Sequence, residues 1–355
     1  MHVGVVFGGR SVEHQVSILS ARTVARGLAE AGHRVTPLAI APDGCWLDRA
    51  AAAAVLAGEE RAIPPLGAPV APTLDALLTS GAEVIFPIVH GSWGEDGTLQ
   101  GLCEMLDLPY VGPGVTTSAV AMDKLYTKRL LAAAGVPVLP CEAVTRAELE
   151  SSPRAVRDRL ESLPLPLFVK PCRGGSSVGV KRVDNRACVE TSLRFALRFD
   201  DAVLVERGVA GRELECAVLG YQQLEASAVG EIVPGGEFYD YADKYLNDNA
   251  RLLAPAELPP ATADRLRAMA VEAFAALGGA GLARVDFLLE GDDQLFVNEI
   301  NTLPGFTAIS MYPHLWEISG VPLPRLTDRL VEIAVARHRD RRRLDEAIKS
   351  WLAEL

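Results

Sequence analysis

No apolar run in these 355 residues is long enough to cross a bilayer; the longest uncharged stretch, Ile300 to Trp316, is broken by Pro304, Gly305 and Pro313. Basic charge is also short. Lys and Arg number 35 against 46 Asp and Glu, a formal net charge of −11. That balance argues against nucleic acid or an anionic membrane as a partner, though a local basic pocket for phosphates remains open. Cysteine is sparse and unpatterned: Cys45, Cys103, Cys141, Cys172, Cys188 and Cys216 form no C-x-x-C pair and have no His at metal-ligand spacing. They are expected to be reduced, mostly small core residues. There is no Walker A motif, and the Gly8-Gly9 turn is not part of a G-x-G-x-x-G fingerprint. Met1 to Gly9 lacks a basic leader and runs straight into apolar residues, which reads as a first strand and a cytoplasmic protein.

What is there suits two or three folded domains: 49% hydrophobic and 23% charged residues. Strands are expected at Val3–Phe7, Val35–Ile40 and Glu83–Val89, with helices at Gln15–Ala31 and Gly97–Leu106 and a short strand at Tyr110-Val111. That alternation predicts an open parallel α/β sheet over about the first 120 residues. Ala50 to Thr73 reads as a helix and an irregular connection. From Ala119 the pattern becomes α+β, with helices at Met122–Ala134, Ala147–Glu161 and Thr262–Leu277. Strands are expected at Leu167–Lys170, Gly179–Val183, Val203–Glu206 and Glu213–Leu219. The tail from Leu323 is helical and charged, and its basic run 337–343 reads as a solvated face.

The most informative stretch is Ala283 to Asn301, two apolar strands around Glu290-Gly291-Asp292-Asp293 with charges planted among buried positions. Alternation puts Arg284 and Asp286 on one face, and Glu299 and Asn301 on one face. Pairing Glu290 with Leu295 sets Asp286 opposite Glu299 and Arg284 opposite Asn301. Two readings are open: an oxygen-ligand site for a cation such as Mg²⁺ on a nucleotide, or a wet hairpin whose acids Arg284 neutralises.

Phe168-Val169-Lys170-Pro171-Cys172-Arg173-Gly174-Gly175-Ser176-Ser177-Val178-Gly179 is a strand followed by a Gly/Ser loop. Its glycines admit phosphate oxygens to backbone N–H groups, its serines add donors, and Lys170 supplies a point charge. No helix follows the glycines, so the loop reads either as a flap over a nucleotide or as a plain hairpin loop. Glu206 ends a buried strand, where a carboxylate can accept from an adenine amino group, and Glu213 follows in the next strand. Lys124, in Met122-Asp123-Lys124-Leu125, reads either as a phosphate ligand or as an exposed helix cation.

Taken in order, Lys124, Lys170, Gly174–Gly179, Glu206, Glu213, Asp286 and Glu299-Ile300-Asn301 resemble the ATP-grasp carboxylate–amine ligases, and within them the D-alanine–D-alanine ligases. The segments Gly8 to Ser17, His90 to Gly97, Phe238 to Tyr245 and Asn301 to Thr307 carry the same resemblance, which extends to about Val335. It implies an ATP-grasp fold behind an N-terminal open parallel α/β domain. Residues 1–120 would form the domain for the first D-alanine, 121–215 the lid, 216–335 the metal and substrate part, and 336–355 a charged tail. ATP would be held by Lys124, Lys170, Ser177, Glu206 (adenine), Val209, Glu213 (ribose) and Lys244 (γ-phosphate). Two Mg²⁺, with Mn²⁺ able to substitute, would sit on Asp286, Glu299 and Asn301. Glu13 would grip the first D-alanine's ammonium through a link to Ser176 and Tyr245, with His90 nearby. The second D-alanine's carboxylate would meet Arg284, Gly305 and Ser310, and Arg284 would stabilise the tetrahedral intermediate. The implied enzyme is a cytoplasmic homodimer that makes D-alanyl-D-alanine for peptidoglycan. A D-alanine–D-lactate or D-serine ligase, a silent ATP-binding regulator and a dinucleotide-dependent dehydrogenase are the rival readings. Lys244 and Tyr245 favour the dipeptide. Plainer roles remain for two residues: Glu13 could cap the following helix, and Tyr245 could be a loop aromatic. Cys172 departs from the family pattern, which more often has a smaller or hydroxylated residue there, and could be an oxidisable thiol beside the flap.

Overall fold

The computed structural model describes residues 1–58, 63, 72–233 and 251–354. The N-terminal part alternates β1 (His2–Gly8), α1 (His14–Glu30), β2 (Arg34–Ile40), α2 (Arg49–Ala57), α3 (Pro72–Thr79), β3 (Val84–Pro87) and α4 (Thr98–Met105). Its sheet has the order β2-β1-β3 and is parallel throughout, as expected from the sequence. Every residue of β1 is buried, the signature of a parallel strand covered on both faces. The expected strand at Tyr110-Val111 is only a bridge from Tyr110 to Ile85, because Gly112 and Pro113 stop the ladder.

Of two expected helices, one starts slightly late and the other is broken in the middle. The one at 122–134 is α6 (Lys124–Ala133), preceded by a helix the sequence did not suggest, α5 (Val115–Met122). Asp123 is extended between them, and its carboxylate accepts from the N–H groups of Leu125 and Tyr126, restarting the helix. The helix at 147–161 is α7 (Arg146–Ser151) and α8 (Pro153–Leu160), because Pro153 drives Ser152 out of helical backbone. A strand unforeseen in the sequence, β4 (Cys141–Thr145), joins β5 (Leu167–Pro171), β6 (Lys181–Val183) and, after α9 (Val189–Ala196), β7 (Ala202–Arg207) in an antiparallel sheet β4-β7-β5-β6.

The third sheet is antiparallel, β10-β9-β8-β11-β12, built from β8 (Gly211–Tyr221), β9 (Gln223–Val233), β10 (Arg251–Leu253), β11 (Gly281–Glu290) and β12 (Gln294–Asn301). Helix α10 (Pro260–Ala276) packs on one face through Leu266, Ala270, Ala273 and Phe274. After α11 (Met311–Ile318), the chain closes with α12 (Leu323–Ala353), which lies along α1. Gly27 makes that approach feasible: a Cβ there would sit 2.9 Å from Leu323 Cγ. One apolar core runs from Val5, Phe7 and Leu28 through Leu282, Phe306 and Tyr312 to Leu326 and Leu330. The tail is less solvated than its charge suggests. Arg337 stacks 4.3 Å from the Tyr110 ring centroid, and His338 and Arg341 reach Asp107 and Glu104 at 2.8 and 3.1 Å.

Candidate active site

The β11–β12 hairpin forms one wall of the cleft. Its turn pairs Glu290 with Gln294, one residue tighter than the sequence suggests. A bulge at Asn298 then takes up the extra residue, so Asp286 still faces Glu299 and Arg284 still faces Asn301. Across β11, Asp286 also faces Glu215 on β8. Three acids therefore lie in a row over three strands, and Arg284 compensates the inner two. Its guanidinium holds both oxygens of Asp286 at 2.7 and 2.8 Å and reaches Glu215 at 3.1 Å. Burial works against the Arg284 charge, but Asp286 and then Glu215 outweigh it and keep the guanidinium firmly protonated. Asn301 donates to Asp286 at 2.8 Å.

Among the described residues no three His, Cys, Asp or Glu side chains converge into a complete metal cage. The donors on offer are the two carboxylates of Asp286 and Glu299 and the Asn301 amide, all oxygen ligands once that amide turns over. Such a partial hard-donor set fits a Mg²⁺ that draws its remaining ligands from phosphates and water.

The opposite wall comes from the central sheet and α6. Lys124 opens α6; its ammonium donates to Gly174 O at 2.7 Å and lies 3.9 Å from Glu299. Lys170, at the end of β5, pairs with Glu206 and approaches Asn298 Oδ1 at 3.4 Å. Glu206 is only 2% exposed, and its second oxygen lies 3.0 Å from the equally buried Lys128. Burial alone would raise this carboxyl, but Lys128 and then Lys170 outweigh it and hold it at about 2. Ser177 and Val209 also line the cavity, and Glu213 lines it from β8, beside β11.

Glu13 enters from the N-terminal sheet. It precedes α1 but makes no side-chain capping bond; instead Oε1 accepts a 2.6 Å hydrogen bond from Ser176 Oγ. Gly91 and Gly175 crowd its other oxygen, where a Cβ would come within 2.9 and 3.2 Å. His90, behind it, is a buried and neutral tie. Nδ1 donates to Leu303 O at 2.9 Å, and Nε2 accepts from Ser20 Oγ at 2.9 Å. Burial lowers its proton affinity. Glu95 accepts from Gly91 N and Leu303 N, at 2.9 and 3.2 Å, clamping the loop 301–305 to the N-terminal sheet. Burial, with Glu13 adding to it, pushes the Glu95 carboxyl up to about 8. Gly305 and Ser310 close this end, with Ser310 Oγ accepting from Thr307 N at 2.9 Å.

Glu13, His90, Lys124, Lys170, Ser176, Ser177, Glu206, Val209, Glu213, Arg284, Asp286, Glu299, Asn301, Gly305 and Ser310 thus border one cavity of about 1400 Å³. Lys244 and Tyr245 lie outside the described residues. The sequence reading missed Lys128, Glu215 and Glu95. The first two were legible as periodic companions, Lys128 one helical turn after Lys124 and Glu215 two strand positions after Glu213. Cys172 is corrected: it is 1% exposed, and burial pushes its thiol up to about 12, which suppresses the reactive thiolate.

Two family profiles match the chain: "D-ala D-ala ligase N-terminus" over residues 2–113 and "D-ala D-ala ligase C-terminus" over residues 130–332. The D-alanine–D-alanine ligase of Solibacter usitatus is 43% identical, the alignment covering 96% of this chain and 97% of the relative. That of Mycolicibacterium smegmatis is 45% identical, with 94% and 95% covered. Among solved structures, the D-alanine–D-alanine ligase of Coxiella burnetii superposes with a TM-score of 0.81 at 33% identity, covering 99% of each chain. The VanG D-Ala:D-Ser ligase of Enterococcus faecalis gives 0.79 at 29% identity, covering 94% of this chain and 99% of that one. The ATP-grasp fold follows, and a dinucleotide-dependent dehydrogenase is set aside. The chain belongs to the D-alanine–D-alanine ligase family.

Proposed function

We propose that this chain joins two D-alanines into D-alanyl-D-alanine for peptidoglycan synthesis, consuming ATP and releasing ADP and phosphate. The observation that carries the reading is the meeting of three chemistries in one cleft: an anionic grip at Glu13, phosphate-ready Lys124 and Lys170, and Arg284 between them. A free carboxylate is a poor electrophile, so the first D-alanine must be activated as its acyl phosphate. Glu13 holds the ammonium of that D-alanine, oriented by Ser176. Lys124 and Lys170 neutralise the phosphates, while Glu206 and Glu213 take the adenine and ribose, with Ser177, Val209 and Lys244 completing the nucleotide site. Asp286, Glu299 and Asn301 would hold Mg²⁺ (or Mn²⁺), which offsets triphosphate charge during transfer.

The second D-alanine, its carboxylate near Arg284, Gly305 and Ser310, attacks the acyl phosphate through its amine. Arg284 stabilises the resulting oxyanion and the departing phosphate. The loop 174–179 keeps water from the acyl phosphate, and Tyr245 belongs to the same closure. The reading takes residues 1–120, 121–215 and 216–335 as first-substrate, lid and metal-binding parts. It makes the working unit a cytoplasmic homodimer acting on small molecules, not on nucleic acid or membrane. No described helix is long and apolar enough to cross a bilayer.

Purified protein incubated with ATP, Mg²⁺ and D-alanine is expected to release phosphate and dipeptide in equal amounts. No phosphate release would sink the proposal. Phosphate released only when D-lactate or D-serine is added would assign the ester or mixed-dipeptide activity instead.

A further inference from the structure

Helix α6 carries two cations one turn apart: Lys124, which lines the cleft, and Lys128, buried beside it against Glu206. The reaction needs Lys124; it gives Lys128 no task. Yet Lys128 is only 3% exposed, and its ammonium meets Glu206 Oε2 at 3.0 Å. Lys170 occupies the other oxygen. A buried ion pair is poor evidence of a stabilising role, since apolar replacement is often as stable. We infer that Lys128 is a positioning residue that fixes Glu206 as an oriented anion, and thereby makes the nucleotide site select a 6-amino purine over a 6-oxo purine.

The inference rests on the reading that Glu206 faces the adenine. Each carboxylate oxygen can accept more than one hydrogen bond, so the two lysines leave acceptor capacity for an adenine amino group. A 6-oxo group would set oxygen against a carboxylate oxygen, acceptor facing acceptor. Lys170 cannot perform this alone, because a bound triphosphate draws on the same ammonium. Among the described residues the ion pair of Lys128 is with Glu206. Burial opposes charge on Glu206, and Lys128 and Lys170 together offset it.

The test replaces Lys128 by methionine and measures ATP and GTP binding by calorimetry, together with steady-state turnover. Lys128→Met is expected to raise KM for ATP about tenfold and to narrow the ATP-over-GTP preference by a similar factor, with kcat changed less than about threefold. In a Glu206→Gln background the same change should cost less than about twofold, since its route of action is gone. Equal weakening toward both nucleotides, or the full effect in the Glu206→Gln background, would overturn the inference. If Lys128→Met does not fold, Lys128→Gln is read by the same criteria. Calorimetry needs no turnover, so a wild-type protein that prefers ATP but forms no dipeptide defeats the proposed function alone. One that binds GTP as well as ATP defeats this inference.

Discussion

Ser176 donates a 2.6 Å hydrogen bond to Glu13 across 163 residues of chain, joining the central-sheet loop to the start of α1. Ser176 also sits at φ 52°, a left-handed backbone unusual for serine, so the bond helps hold a conformation the loop would not choose. Ser176→Ala is expected to raise KM for the first D-alanine by about tenfold or more, since a hydrogen bond to a charged group is lost, with a much smaller change in KM for ATP. Initial rates with each substrate varied in turn decide it; equal changes in both constants would mean the bond does not act on the amino acid.

Arg284 balances Asp286 and Glu215 together, and lysine cannot reproduce that two-toothed grip. Arg284→Lys should lower kcat by about 10²- to 10³-fold while leaving a folded protein. Arg284→Met should also unfold more readily, by roughly 3–5 kcal/mol, because buried acids lose their partner. Turnover and urea melts on the same preparations separate the two effects. A lysine variant with near-normal kcat would remove Arg284 from the chemistry.

The Glu95 carboxyl titrates at about 8 when folded, against 4.5 for the unperturbed group. A carboxyl raised in this way contributes stability that is complete below the unfolded value and is lost as pH rises through the folded one. His90 works in the opposite sense: its lowered proton affinity favours the fold above about 6.5 and is lost in acid. Urea midpoints of wild type and Glu95→Gln, followed from about pH 5 to 9, should therefore move in the variant's favour as pH rises. A constant gap would mean that Glu95 ionises normally.

Iodoacetamide should label the exposed Cys188 in the native protein and reach the buried Cys172 only after unfolding. Peptide mass spectrometry gives the pattern, and turnover should survive native labelling. Native modification of Cys172 would place a reactive thiol beside the flap after all.

How much of the site was legible depended on periodicity. Strand alternation located Arg284, Asp286, Glu299 and Asn301 and even their partners, although the assumed turn pairing was off by one residue. The bulge at Asn298 cannot be read from alternation, because it is an interruption of alternation; it adds one more polar side chain, beside Lys170, to the cleft. Helix ends were harder. Asp123 caps α6 just inside the expected start of that helix, and α5 and α11 were not expected; Pro313 sits in the first turn of α11. It is tolerated there because the first-turn N–H groups have no helical acceptor to lose. Glu95 escaped notice because its importance is wholly tertiary: nothing local in His90–Gly97 shows that its carboxyl spans two parts of the chain.

Helix α12 has one more consequence, for the order in which the protein can be made. The layer begun by β1 is covered by Leu326, Leu330 and Val331, which follow it by roughly three hundred residues of chain. The sheet must wait, partly uncovered, until α12 has been made. A nascent fragment ending near residue 113 should therefore depend on chaperones rather than fold alone.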